Sequence, residues 1–111
     1  MSIVRTLIEV LKNKDSRVRF IAVSALNSIY DPGSYRAEDK AIDKAALSAL
    51  TKALKDKSDD VRWTAAETLG YLRNKSATPA LRKALKDKNE LVRLRARKAL
   101  ESLQPWDEFK G

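Results

Sequence analysis

The stretch that decides the fold is LKDKSDDVRWTAAETL, residues 54–69, because it recurs as LKDKNELVRLRARKAL at residues 85–100. In both copies the first Leu is followed by Val after seven residues, by Ala after eleven and by Leu after fifteen. A more divergent copy starts at Leu11, with Val, Ala and Leu at the same offsets. Three copies that agree at every one of these positions predict a repeat architecture.

Each copy is predicted to form a helix–turn–helix unit. In the first copy Val18, Ala22, Leu26 and Ile29 fall on one side of a helix at about 100° per residue, and the later copies repeat this spacing. An apolar stretch before each copy's first leucine predicts a preceding helix. The turns KNKDSR, KDKSDD and KDKNE each offer Asp, Ser or Asn to cap the second helix.

One hairpin of this kind cannot bury its own apolar side, so stacking three of them predicts an all-α solenoid with one continuous core. A small residue at the centre of each second helix lets neighbouring helices approach closely. These central residues, which we expect to be buried, are Ala22, Ala65 and Ala96. The shared apolar seam is predicted to run through Leu11, Leu54 and Leu85.

We interpret residues 1–111 as a single domain of about six helices. Its predicted parts are repeat one at 2–30, an insertion at 31–41, repeat two at 42–73, repeat three at 76–104 and a tail at 105–111. The helix around residues 37–55 is predicted to be lengthened, with Ser34 as a candidate cap.

Two segments fall outside the repeats. The insertion begins with Asp-Pro-Gly, a turn signal, and it is either a tolerated loop or a binding finger that uses Tyr30 and Tyr35. The tail carries Trp106 and Phe109, which either fold back over the last hairpin or form a short recognition motif.

Composition argues against catalysis. The chain has no Cys and no His, so it lacks disulfides, thiolates, the commonest metal ligand and the commonest general base. The adjacent carboxylates Asp59 and Asp60 are better explained by helix capping than by acid–base chemistry. We therefore predict a protein that is not an enzyme, with no metal or cofactor. The absence of a long apolar run excludes a membrane span, and a cytoplasmic location is expected.

The positive charge is uneven. The formal net charge is +8, and residues 73–98 contain ten basic side chains against Asp87 and Glu90. Such a local excess attracts anionic partners. The candidate polyanion contacts are Arg82, Lys83, Lys86, Lys88, Arg93, Arg95 and Arg97.

The strings ALKDKSDDVRWTAAETLGYL and ALKDKNELVRLRARKALESL resemble HEAT repeats, most of all the short variety of the phycobilisome lyase family. The resemblance implies that the second helices line the concave side of the solenoid. It also implies that the Arg after each Val pairs with a turn aspartate of its own or the next repeat. The candidate pairs are formed between Arg19, Arg62, Arg93 and Asp15, Asp56, Asp87.

On that concave side Phe20, Trp63 and Leu94 hold the same position in each copy, which predicts a half-exposed apolar stripe. Such a stripe bordered by charge is typical of peptide or helix binding, although the rings would also suit packing between repeats. The predicted groove consists of Phe20, Val23, Ser24, Asn27, Trp63, Ala66, Glu67, Leu94, Arg97 and Lys98.

The leading functional hypothesis is therefore a protein-interaction scaffold or adaptor. One alternative is nonspecific nucleic-acid or other polyanion binding through the basic third repeat, which would depend steeply on salt. A second alternative, which the family resemblance implies, is an accessory role in phycobilin attachment. The apolar first helix is expected to contact either another protein or a second copy of the chain.

Overall fold

The computed structural model describes residues 2–33 and 43–103. Within these ranges the chain forms six α-helices and no strand, which confirms the predicted fold class. Their bounds are α1 Ile3–Val10, α2 Ser16–Tyr30, α3 Asp43–Ala53, α4 Asp59–Leu72, α5 Thr78–Ala84 and α6 Glu90–Leu103, with a 3₁₀ turn at Lys75–Ala77. No helix in the described part of the chain is both long and apolar enough to cross a bilayer.

Some sequence-based expectations lie outside the described residues. These are the Ser34 cap, the Tyr35 contact, residues 37–42 of the predicted long helix, and the tail aromatics Trp106 and Phe109.

The helices pair as three hairpins, α1–α2, α3–α4 and α5–α6, which stack side by side. The second helices α2, α4 and α6 approach one another more closely than the first helices do. Clefts of about 310 and 390 Å³ open between α1 and α3 and between α3 and α5. The second helices therefore form the inner side of the curve.

The core follows the predicted seam through most of its length. Ala22, Ala65 and Ala96 are completely buried at the centres of the second helices, as the repeat predicts. Leu54 is buried, but the prediction for Leu85 is wrong, because that side chain is 38% exposed. In the first two repeats this leucine is covered by the following hairpin, and within the described residues no hairpin follows the third.

The turn residues cap the second helices in two of the three repeats. Asp15 accepts a hydrogen bond from the Arg17 amide at 2.9 Å, and Asn89 accepts from the Leu91 amide at 2.8 Å. Ser58 makes no such bond. The first turn of α4 instead carries two carboxylates, which stabilise the positive end of the helix dipole.

Helices α4 and α6 approach each other closely at Gly70 of α4. A Cβ atom there would lie 3.0 Å from the Cα atom of Ala99 and 3.1 Å from its Cβ atom. A side chain there would fit only if α4 and α6 moved apart by a few tenths of an ångström, so glycine is favoured by close contact rather than by backbone conformation.

Two arginines link successive hairpins. The Nε and Nη2 atoms of Arg19 donate to the Asp56 carboxylate at 2.7 and 2.9 Å. The same atoms of Arg62 donate to Asp87 at 2.9 and 3.2 Å. The predicted arginine–aspartate pairs are thus confirmed for Arg19 and Arg62, and in both pairs the aspartate belongs to the next repeat.

The remaining nitrogen of each arginine closes its own turn. Nη1 of Arg19 donates to the carbonyl oxygens of Asn13 and Lys14, both at 2.9 Å. Nη1 of Arg62 donates in the same way to the carbonyls of Asp56 and Lys57. One guanidinium therefore fixes both the turn that carries it and the position of the next hairpin.

We call the Arg19–Asp56 and Arg62–Asp87 pairs the arginine ladder. It stops at both ends of the described stack. The first turn has Asn13 where the later turns have Asp56 and Asp87, and the expected ladder role of Asp15 is wrong, because its carboxylate pairs with Arg17. At the other end, Nη1 of Arg93 donates to the Asp87 carbonyl at 2.7 Å. Its other nitrogens have no acceptor among the residues that the structure describes.

The ladder changes the acidity of its carboxylates. Burial by itself would raise the pKa of Asp87, but hydrogen bonds from Arg62 and from the Asn89 amide outweigh it and lower the pKa below its usual value. The pKa of Asp56 is lowered by Arg19 and the Ser58 amide against the same effect of burial. Both carboxylates therefore stabilise the fold in their ionised form.

We expect Gly70→Ala to destabilise the protein by about 2 kcal/mol, because the new methyl group must push α4 and α6 apart. Alanine is the better helix former, so a purely local effect would have the opposite sign. Urea denaturation followed by circular dichroism measures the difference, with Ser28→Ala on the exposed side of α2 as control. Equal or greater stability of Gly70→Ala would contradict the close packing.

We expect Asp87→Asn to lower the free energy of unfolding by about 2 kcal/mol at neutral pH, because it leaves the buried Arg62 without a countercharge. Since folding lowers the pKa of Asp87, its contribution is complete above the usual value of 3.8 and is lost as pH falls through the folded-state pKa. Denaturation at several pH values should show the variant and the wild type converging in acid.

Asp15→Asn is the matched control for this experiment. It keeps a good capping residue and removes only an exposed ion pair, so its stability should equal that of the wild type. A similar loss in both variants, or a difference that does not change with pH, would argue against the ladder as the cause.

Candidate protein-binding face

The inner face of the stack is built from the exposed sides of α2, α4 and α6. Phe20, Trp63 and Leu94 lie at equivalent positions one repeat apart, and each is partly exposed. The rings of Phe20 and Trp63 also pack against the core. Each ring therefore has one exposed part, as the predicted stripe requires, and one part packed against the repeats, as the alternative requires.

Two residues assigned to the groove are not on the surface. Val23 and Ala66 are completely buried, and their assignment as contacts is wrong, because the following hairpin covers this position of the second helix. Arg97 holds the same position in the third repeat and is exposed, since no further hairpin lies over it in the described chain.

A chain of polar contacts crosses the inner face from repeat to repeat. The Asn27 side-chain amide donates to Glu67 at 3.1 Å and to the Thr68 hydroxyl at 2.9 Å. Arg95 Nη1 donates to the other oxygen of Glu67 at 2.6 Å. Glu67 thus binds side chains of both neighbouring hairpins, and the relative positions of α2, α4 and α6 on this face are fixed.

The same arginine orients the tryptophan at the centre of the face. The guanidinium carbon of Arg95 lies 5.3 Å from the centroid of the Trp63 ring, within the range of a cation–π contact. The indole Nε1 donates to Asp60 at 3.3 Å on its other side. Trp63 therefore presents a half-exposed ring whose orientation is set before any partner arrives.

Two residues of this face were missed or misassigned by the sequence pattern. Arg95 was assigned to polyanion binding, but its charge is paired with Glu67 and its plane lies near Trp63, so it is not free for phosphate. Tyr71 was not predicted, although it follows Trp63 and Glu67 at intervals of four residues. Burial, followed by the nearby Glu67 carboxylate, raises the pKa of Tyr71.

Tyr71 and Arg95 share a shallow depression of about 210 Å³ between α4 and α6. Its other lining residues are Glu67, Gly70, Lys98, Ala99 and Ser102. Trp63 does not line this depression, which lies further along α4 and α6 toward their C-terminal ends.

The other basic residues of the third repeat face in different directions. Lys83 lines the outer cleft between α3 and α5, whereas Arg93 and Arg97 line a hollow of about 640 Å³ at the end of the stack. Arg82, Lys86 and Lys88 are exposed on α5 and the turn after it. This distribution gives no single continuous track for a nucleic-acid backbone.

Comparison with known proteins agrees with the architecture. A family model of HEAT repeats matches residues 47–108, and a model of HEAT-like repeats matches residues 16–72. A search of the curated proteins found no match.

Among solved structures, the chain is similar to a chain in the complex of CpcE and CpcF of phycocyanin lyase from Nostoc sp. PCC7120, with 28% identity and a TM-score of 0.77. The match covers 93% of this chain but spans only 38% of that one. Each family model covers more than half of the 111 residues. The chain therefore belongs to the HEAT-repeat family.

Proposed function

We propose that this protein is a non-catalytic scaffold that binds a helix or an extended segment of another protein across its inner face. The observation that carries the proposal is the fixed, half-exposed ring of Trp63 between Arg95 and Asp60. Large aromatic side chains supply most of the energy of many protein interfaces. A ring already held in place loses little conformational freedom on binding.

The charges around Trp63 favour an amphipathic partner. Glu67 is neutralised by Arg95, so the centre of the face offers apolar and aromatic surface with little free charge. Lys98 is exposed and belongs to no ion pair in the described part of the chain. A segment whose apolar side meets Phe20 and Trp63, and whose carboxylate meets Lys98, fits this arrangement.

A photo-crosslinking residue at Tyr71 is expected to form a discrete adduct with the partner in the native host, because Tyr71 follows Trp63 by about two helical turns on the same face of α4. Trp63→Ala should abolish the adduct, since it removes the aromatic anchor. Mass spectrometry of the adduct identifies both the partner and the segment bound.

The same crosslinker at Lys44, which is exposed on α3, is the matched control and should give no such adduct. Circular dichroism must show that Trp63→Ala remains folded. An adduct of equal yield from both positions, or one that survives Trp63→Ala, would contradict binding through the inner face.

A second candidate is an accessory role in phycobilin attachment. It is favoured by the likeness to a chain of the phycocyanin lyase complex over 93% of this protein. Because the match spans 38% of the lyase chain, an attachment activity would require contributions from elsewhere. The carboxylates and basic groups of the inner face would then meet the polar substituents of a bilin.

If the scaffold proposal is correct without this role, adding a free phycobilin to the protein should leave the visible absorption spectrum of the pigment unchanged. Capture of a bilin in a fixed conformation changes the intensity and position of its absorption band. A saturable spectral change that Trp63→Ala removes would favour the attachment candidate over the general scaffold.

A further inference from the structure

The first repeat exposes apolar positions that the later repeats bury. Ile21 is 67% exposed, whereas Thr64 at the matching position of α4 is 3% exposed, and Arg95 at that position of α6 is only partly exposed and contacts Glu67 of the preceding hairpin. Ile3 is 56% exposed, whereas its counterparts Ala46 and Ala77 are completely buried. The two most exposed large apolar side chains of the described residues therefore stand where a preceding hairpin covers the other repeats.

Four further positions show the same difference. Leu7, Val10, Val18 and Ala25 are partly exposed. Their counterparts are buried: Leu50 and Leu81, Ala53 and Ala84, Val61 and Val92, Thr68 and Ala99. We call the set in repeat one the leading face, and it consists of Ile3, Leu7, Val10, Val18, Ile21 and Ala25.

In repeats two and three, the surface that corresponds to the leading face is covered by the preceding hairpin. Thr68 receives a hydrogen bond from Asn27 of the preceding hairpin, and Ala99 contacts Gly70 of the preceding hairpin. We call the covering side the trailing face. Its contact positions hold Val23 and Asn27 in repeat one, and Ala66 and Gly70 in repeat two, so they are small or uncharged.

The trailing face of the third repeat does not fit this description. Arg97 stands at the position of Val23 and Ala66, and Glu101 stands at the position of Asn27 and Gly70. Both are exposed. At the two internal junctions this position holds glycine, in close contact with Ala99, or the shorter, uncharged Asn27, which is hydrogen-bonded to Thr68. Head-to-tail stacking of two copies would bury the charged side chains of Arg97 and Glu101 instead, so it is disfavoured.

The turn between α1 and α2 also lacks the aspartate that the later turns use to bind an arginine of the preceding hairpin. Asn13 replaces the ladder aspartate and keeps its local hydrogen bond, accepting from the Asp15 amide at 2.8 Å. A hairpin that covers the leading face consequently buries no unpaired carboxylate, even if it brings no ladder arginine.

We propose that the leading face docks against the trailing face of a HEAT-like hairpin in a different protein, one with small, uncharged residues at the positions of Ala66 and Gly70. The contact would extend the internal stack by one repeat. It uses α1 and the side of α2 that faces away from α4, and it does not include Phe20 or Trp63 of the inner face.

The test uses the protein itself as the source of a suitable trailing face. A probe chain with Arg97→Ala and Glu101→Gly recreates the trailing face of repeat two, and Ile21→Glu in the same probe blocks its own leading face. Mixed with the wild type, this probe should form a one-to-one complex in analytical ultracentrifugation. The single variant Ile21→Glu, which keeps the native trailing face, is the matched control and should not bind.

A further arginine–aspartate pair can then be added across the new interface. Asn13→Asp in the wild-type partner should tighten binding of the probe about tenfold, because it offers a carboxylate to the free nitrogens of Arg93. Arg93→Gln in the probe should cancel that gain. Trp63→Ala in the partner should leave binding unchanged, which separates this result from a test of the inner face.

Two results would overturn the proposal. One is no complex between the folded probe and the folded wild type, with folding verified by circular dichroism and thermal melting. The other is an intermolecular disulfide formed readily by Ile21→Cys alone under mild oxidation. The chain is otherwise free of cysteine, so that product would show that a second copy covers the leading face.

Discussion

A HEAT-like hairpin has two apolar sides and buries only one of them by pairing its own helices, so each hairpin needs a neighbour. This constraint explains most of the structure. The complete burial of Val23 and Ala66, the tight contact of Gly70 with Ala99 and the arginine ladder all serve the junction between hairpins. Burial supplies the energy of the junction, and the bidentate arginine–aspartate pairs fix its geometry.

The same constraint gives the charge distribution a structural explanation. The basic excess of residues 73–98 falls in the hairpin after which the structure describes no further repeat. Arg97 occupies a position that is buried and apolar in the first two repeats. Part of the positive charge therefore lies on the exposed trailing face of the last repeat that the structure describes. Arg95 is charged for another reason, because it joins Glu67 and orients Trp63.

These features give the molecule two surfaces with different physical properties. The inner face is held by hydrogen bonds across three helices and suits a ligand that fits a rigid surface. The leading face is apolar and continues the internal packing of the repeats. The two proposals together place one partner along the inner face and another against the leading face.

The resemblance to HEAT-like proteins implied the pairing of Arg19 and Arg62 with turn aspartates. The sequence by itself determined the repeat, its helix–turn–helix unit and the buried alanines. These features depend on the spacing of apolar residues along one chain, and the helical period of that spacing can be recognised in the sequence. Only the tertiary structure decided which side of each second helix faces a neighbour. Val23 and Ala66 were assigned to the groove because a helical wheel shows the hairpin's own core and not the next hairpin. Leu85 was assigned to the core because a repeat pattern does not show which leucines a following hairpin covers, and within the described residues Leu85 is 38% exposed. The joining of Arg95 to Glu67 and Trp63 depends on the distance between α4 and α6. Burial at a junction is a property of two repeats together, whereas periodicity is a property of one.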